Sequence, residues 1–188
     1  GEPVPADTLT LEQNLDAEFN SPFEEFATVF QLRVSVQERL GPRVRTKRPL
    51  AIFSPQPRLA LWQTGRREWV FAIKQARHPE VKLDIHRQYL LLYGWINGIN
   101  ALEAADRMAM AREARQSFLE QITRDAIRDL RQHGFRMLDI KPEHIIVRLR
   151  PDGNLVRHRD GRVVYAVVDY ELLERVSPAE DPCGGVSP

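Results

Sequence analysis

Two acidic positions, each held at the end of an apolar run, constrain this chain more than any other feature. The segment MLDIKPEHIIV, residues 137–147, sets Asp139 ahead of a proline turn, with Lys141 and His144 following before three β-branched residues. Further on, VVYAVVDYE at residues 163–171 carries apolar residues on both alternating faces, which predicts a buried strand ending at Asp169. A hairpin joins the two: HIIVRLR, a Pro151-Asp152-Gly153 turn, an Asp160-Gly161 turn, then RVVYAVVDY. Two carboxylates, an ammonium and a metal-capable imidazole at strand ends are what phosphoryl transfer requires. Metal ions sit on phosphate oxygens and a carboxylate orients the attacking hydroxyl.

A second candidate is EWVFAIK at residues 68–74, which reads as a strand. On a strand Val70, Ala72 and Lys74 share a small-residued face, and Trp69, Phe71 and Ile73 a bulky core face. A flat ring over Ala72 with its phosphates at Lys74 suits the first face, whereas a lysine snorkelling from a strand edge is the plain alternative. A third is YLLLYGWINGINAL at residues 89–102, an apolar strand entering a helix through Gly94 and Gly98, which permit close backbone approach.

Together these stretches resemble the protein-kinase-like superfamily, in which an H-R-D-x-K-P-x-N loop is followed by D-F-G and preceded by a V-A-I-K strand. The resemblance covers roughly residues 50–175. It implies ATP with Mg or Mn as cofactors. By it Asp139 orients an acceptor hydroxyl, Lys141 neutralises the transferring phosphate, His144 and Asp169 hold metal, and Lys74 grips the α- and β-phosphates. Ala72, Leu92, Gly94 and Trp95 would line the adenine.

The departures from the pattern are specific. Met137-Leu138 stands where the family has H-R, and His144 replaces the metal-binding Asn, a neutral imidazole suiting softer ions than Mg²⁺. His144 and the non-glycine Glu171 after the second Asp are similar to the small lipopolysaccharide-core kinases of the same superfamily. Residues 54–58 hold two prolines and no glycine, so they cannot drape backbone N–H groups over phosphates. The acid that pairs with Lys74 has four candidates: Glu80, Asp84, or Glu24 and Glu25 of the first helix. No activation segment or peptide-binding subdomain follows Asp169, which points to a small molecule or a glycan as acceptor.

The rest of the chain frames these motifs. Leu9, Leu11, Leu15 and Phe19 fall at roughly helical spacing, and Ser21-Pro22 with Glu24 and Glu25 predicts a helix over 22–30 that buries Phe23, Phe26 and Phe30. Residues 30–36 read equally as strand or helix. Strands are expected over 50–53, 58–63, 68–74 and 86–95, with a turn at Thr64-Gly65. A helix is expected over 101–131, broken near 109–115, with Leu119, Ile122, Ala126 and Leu130 on one face and His133-Gly134 ending it. The basic group Arg43, Arg45, Lys47 and Arg48 reads as a solvated loop.

With 188 residues, 43% hydrophobic and 28% charged, the chain is long enough for one full core or two small lobes, though short for a complete protein kinase. A net charge of +1 gives no bias toward nucleic acid. One cysteine, Cys183, excludes an intrachain disulfide and predicts a reducing, cytoplasmic setting. No apolar run is long enough to cross a bilayer, and an initial Gly in place of Met points to missing flanks. The histidines lack zinc-hydrolase spacing, and neither G-x-S-x-G nor a P-loop occurs.

The expected fold is α+β and protein-kinase-like: a small antiparallel β-lobe plus a truncated helical lobe with a β-hairpin. Its expected divisions are an N-terminal helical or extended segment at 1–48, a β-rich part at 49–96, a helical part with the catalytic-loop hairpin at 97–176, and a tail at 177–188. The expected activity is transfer of a phosphoryl group from ATP to a hydroxyl, the alternative being an inactive pseudokinase that serves as a binding module.

Overall fold

Ser21 opens the first helix as its side chain requires. The Glu24 N–H donates to the Ser21 hydroxyl at 3.3 Å, and the Ser21 N–H donates to the Glu24 carboxylate at 2.8 Å, a reciprocal cap on two otherwise orphaned amides. From there α1 (Pro22–Glu38) runs without interruption through residues 30–36, so that stretch is helical. The computed structural model describes residues 20–38, 44–64, 68–77, 79 and 84–176. The expected run at 9–19, Arg43, Gly65 of the expected turn, Glu80 and the tail from 177 with Cys183 lie outside them.

The expected core face of α1 is corrected. Phe23 is 50% and Phe30 57% exposed, and Val29 and Leu32 are buried, with Val36 packed beside them. Once the helix continues past 30, Val29, Leu32 and Val36 form the longer apolar stripe, and the two phenylalanines fall off it.

The chain divides into two units, one of residues 1–49 with 93–188 and the other Leu50–Leu92. In the first, a four-stranded sheet has the order β1-β7-β6-β4. Here β1 is Arg45–Thr46, β4 Ile99–Asn100, β6 Ile145–Val147 and β7 Tyr165–Val167. The expected hairpin is present as β6 against β7, antiparallel, with Ile145 opposite Val167 and Val147 opposite Tyr165. Its long connection doubles back twice, bridging Leu149 to Leu155 and Arg157 to Val163. On the far side of β7, β1 pairs in parallel, Thr46 opposite Val167. The Arg33 guanidinium donates to the Thr46 carbonyl at 2.8 Å, tying α1 to that strand. A separate antiparallel pair joins β5 (Phe135–Met137) to β8 (Leu173–Arg175).

The expected long helix is two: α3 (Ala101–Arg107) and α4 (Arg112–Gln132). Asn100 caps α3 by accepting the Glu103 N–H at 2.8 Å. The break falls at Ala109, whose φ of 48° is left-handed. On α4 the stripe of Leu119, Ile122, Ala126 and Leu130 is buried, as its spacing predicts. These side chains, the alanines of α3 and the inward faces of β5, β6 and β7 form one core.

In the second unit, β2 (Pro49–Phe53) pairs with β3 (Leu90–Tyr93). The strand expected over 58–63 is absent; residues Leu61–Thr64 form a 3-10 turn. The strand expected over 68–74 is corrected to a helix, α2 (Glu68–Arg77). The apolar run stops at Lys74, and the Gln75-Ala76-Arg77 that follows, with Ala72 and Lys74, consists of strong helix formers. The bulky face of the expected strand does not exist as a core face, since Trp69 is 60% and Ile73 46% exposed. The fold is therefore α+β, with small mixed and antiparallel sheets, and the four strands expected over 50–95 are reduced to two strands and a helix.

Candidate functional site

The hairpin register decides what faces Asp169. Because Ile145 lies opposite Val167, the chain on either side carries His144 and Asp169 to the same end of the ladder. The Val168 N–H donates to the His144 carbonyl at 2.9 Å and sets that end. His144 Nε2 then lies 3.1 Å from Asp169 Oδ2. Asp169 itself adopts φ 69°, a left-handed conformation that costs most non-glycine residues about 1–2 kcal/mol and that aspartate reaches more readily than most.

The Asp139 loop is anchored to the same region. The Leu138 N–H donates to the Leu172 carbonyl at 3.1 Å, joining the segment before Asp139 to the one after Asp169. A 3-10 turn, Pro142–His144, begins at Lys141 and is closed by the His144 N–H on the Lys141 carbonyl at 2.9 Å. Lys141 Nζ lies 3.1 Å from Asp139 Oδ2, both side chains partly open to solvent. The four residues thus form two direct contacts, Asp139 with Lys141 and His144 with Asp169.

The remaining candidates do not join them in the expected way. On helix α2, Ala72 and Lys74 are two residues and about 200° apart, so the shared strand face is lost. Ala72 is exposed, and the Lys74 side chain lies outside what is described. Leu92 is 48% exposed on β3, and Trp95 is 86% exposed. The Gly94 N–H donates to the Arg48 carbonyl at 2.8 Å, so that amide is already engaged. Asp84 is taken by Arg58 at 3.1 Å and by Arg87 at 3.6 Å.

The structure brings Glu25, Tyr93 and Lys47 to the Asp169–Tyr170 segment. Glu24 serves the cap, and Glu25, next on α1, accepts from the Tyr93 hydroxyl at 2.8 Å. Burial raises the Glu25 carboxyl above the ordinary glutamate value of 4.5; Tyr93 opposes the rise, the nearby Glu171 and Asp169 carboxylates add to it, and Lys47 opposes it. Burial and the Glu25 hydrogen bond together hold the Tyr93 phenol far above its ordinary range, so it remains a donor. Lys47 is half-buried and follows β1, whose pairing with β7 brings it to the Asp169 end of the sheet. The sequence carried one usable signal for Glu25: the S-x-x-E box assigns Glu24 to the helix start, leaving Glu25 as the first-turn acid with another task. Lys47 carried none, because a parallel pairing between chain segments this distant leaves no local pattern.

A divalent ion fits part of this geometry. Two cis ligands about 2.1 Å from an octahedral ion lie about 3 Å apart, close to the His144–Asp169 separation. Among the described residues no three His, Cys, Asp or Glu side chains gather into a ready cage. An ion there would complete its shell with water and phosphate oxygens, as Mg²⁺ commonly does. His144 Nδ1 is buried without a hydrogen-bond partner among the described residues, whereas a metal-bound imidazole normally donates its other N–H.

The chain matches no family model, no curated protein and no solved structure. Among the described residues no helix is long and apolar enough to cross a membrane.

Proposed function

We propose that this chain is a minimal, atypical kinase-like domain that binds ATP with Mg²⁺ or Mn²⁺ and transfers the γ-phosphoryl group to a hydroxyl of a small molecule or glycan. The reading rests on the 137–171 stretch, since Lys74 has lost the strand that argued for it. The single observation that carries it is Asp169: a partly exposed carboxylate in left-handed backbone geometry, 3.1 Å from a mostly buried imidazole. Non-glycine residues held in such geometry concentrate at functional sites.

In this reading Asp139 accepts the proton of the acceptor hydroxyl and orients it, and Lys141 neutralises charge on the transferring phosphate. His144 and Asp169 hold the ion, whose chemistry is to neutralise phosphate oxygens. Asp169→Asn is expected to abolish metal-dependent nucleotide binding while leaving the fold intact. Calorimetric titration of ATP with Mg²⁺ or Mn²⁺ checks this, and equal affinity for variant and parent overturns the reading.

A second reading, a pseudokinase that keeps the fold and has lost turnover, is favoured by His144. If Nε2 carries the ring proton and donates to Asp169, the contact is a structural hydrogen bond that occupies the carboxylate, and the orphaned Nδ1 is an unprotonated acceptor. Single-turnover phosphoryl transfer from radiolabelled ATP separates the two readings. Nucleotide binding without transfer to any sugar, lipid-sugar or small-alcohol acceptor supports the second.

A further inference from the structure

Asp169 sits in the left-handed region, which aspartate reaches more readily than most residues but does not prefer, so its neighbours bear on whether it stays there. The side chain of the next residue does this from within the core. Tyr170 is 2% exposed, and its hydroxyl donates to the Val167 carbonyl at 2.6 Å, reaching back across Val168 and Asp169. The same oxygen accepts the Lys47 N–H at 2.7 Å. The register makes the second bond informative. β1 pairs with β7 up to Thr46 opposite Val167, and the next amide of that edge, Lys47, is received by a side-chain oxygen as the β7 chain turns away at Asp169. The hydroxyl therefore extends the ladder by one bond where the backbone has left it. The Tyr170 ring is braced by Tyr93, centroids 5.7 Å apart, and Tyr93 is in turn fixed by Glu25. On the far side the Asn20 side chain donates to the Tyr170 carbonyl at 3.2 Å and the Leu173 carbonyl at 2.7 Å.

We propose that the Tyr170 hydroxyl is a positioning group: by bridging Val167 and Lys47 it holds Asp169 in its left-handed geometry and keeps the carboxylate at His144. A phenylalanine fills the same volume and braces Tyr93 equally well, but can make neither bond. The consequence for ion binding rests on the role proposed for Asp169; the consequence for the backbone does not.

The test compares the parent chain with Tyr170→Phe by NMR. In the parent, the Asp169 Cα and Cβ shifts and the HN–Hα coupling are expected to report a positive φ. In Tyr170→Phe they move to, or average with, the negative-φ range, and cross-peaks between the His144 ring and the Asp169 side chain weaken. Unchanged Asp169 signals in Tyr170→Phe overturn the proposal. If that variant does not fold, amide exchange in the parent decides: the Lys47 N–H is expected among the slowest-exchanging amides, and rapid exchange overturns the bridge. Titration with Mn²⁺ and a non-hydrolysable ATP analogue then reads the functional arm, where Tyr170→Phe is expected to weaken affinity about tenfold, the scale of one hydrogen bond. A parent that binds no Mn²⁺–nucleotide overturns the kinase-like reading alone, and the backbone signals still decide the clamp.

Discussion

At the scale of single residues, three positions depart from their ordinary behaviour and each yields a test. Ala109 sits at φ 48° between α3 and α4, where a Cβ is strained and glycine is not. Ala109→Gly is expected to stabilise the chain by about 0.5–1 kcal/mol, the relieved strain less the entropy of the glycine. Urea denaturation checks it, and a loss of stability counts against the assigned geometry. Gly98 is the reverse case: a Cβ there would lie 2.4 Å from the Val147 carbonyl oxygen and 2.6 Å from an Ile146 methyl, at φ 152°. Gly98→Ala should cost about 2–3 kcal/mol, because strand β6 cannot retreat without breaking its pairing with β7. Glu25 governs a pH effect. Its carboxyl is raised above 4.5 in the folded chain, so between the unfolded value and the raised one the folded state binds more protons. This contribution to stability is present below the unfolded value and is lost as pH rises through the folded one. Glu25→Gln is expected to remove that part of the pH dependence. Thermal unfolding followed from pH 4 upward in both proteins tests the sign.

At the scale of elements, α4 is joined to the hairpin by more than its apolar stripe. Asp129, 2% exposed on α4, accepts from the Tyr165 hydroxyl on β7 at 2.7 Å and from the Arg162 guanidinium. Burial first, and then the Asp129 hydrogen bond, push the Tyr165 phenol far above its ordinary range, so it acts purely as a donor. Tyr165→Phe removes that donor from a buried carboxylate and is expected to cost about 1–3 kcal/mol in denaturant midpoint experiments. A change near zero means solvent reaches Asp129 freely. The network orients β7, which delivers Asp169, so the same variant should also weaken the His144–Asp169 contact. Element identity was legible where the pattern was long: the α4 stripe, the hairpin and the capped start of α1 follow directly from spacing and caps. EWVFAIK was not, because a short continuous apolar run fits a strand and a helix alike, and its context selected the helix.

At the scale of the whole molecule, the α+β class was readable from the order of the elements and their apolar patterning, whereas the meeting of the Asp139 and Asp169 segments was expected from the resemblance to the kinase-like pattern. A buried strand needs a partner, and the only apolar triplet near it in sequence is the one after His144. Glu25, Lys47 and Tyr93 could not be read as neighbours of Asp169, because they arrive from α1, β1 and β3, joined to it by a parallel pairing and side-chain packing that leave no local trace. If the kinase-like reading holds, Asp139→Asn should cut phosphoryl transfer at least about a hundredfold with nucleotide affinity unchanged, and Asp169→Asn should cut affinity itself. Rate and binding measured on the two variants separate orientation from ion holding. The amino-acid sequence alone determined which residue types could do chemistry and which local elements carry most of them, since propensity, capping and periodicity act over a few neighbours. Tertiary structure alone decided which charged groups share one end of the sheet, that Lys74 rides a helix, and that Asp169 is held in a left-handed turn. Those outcomes depend on pairing between distant segments, whose energy is set by packing and not by any short stretch of chain.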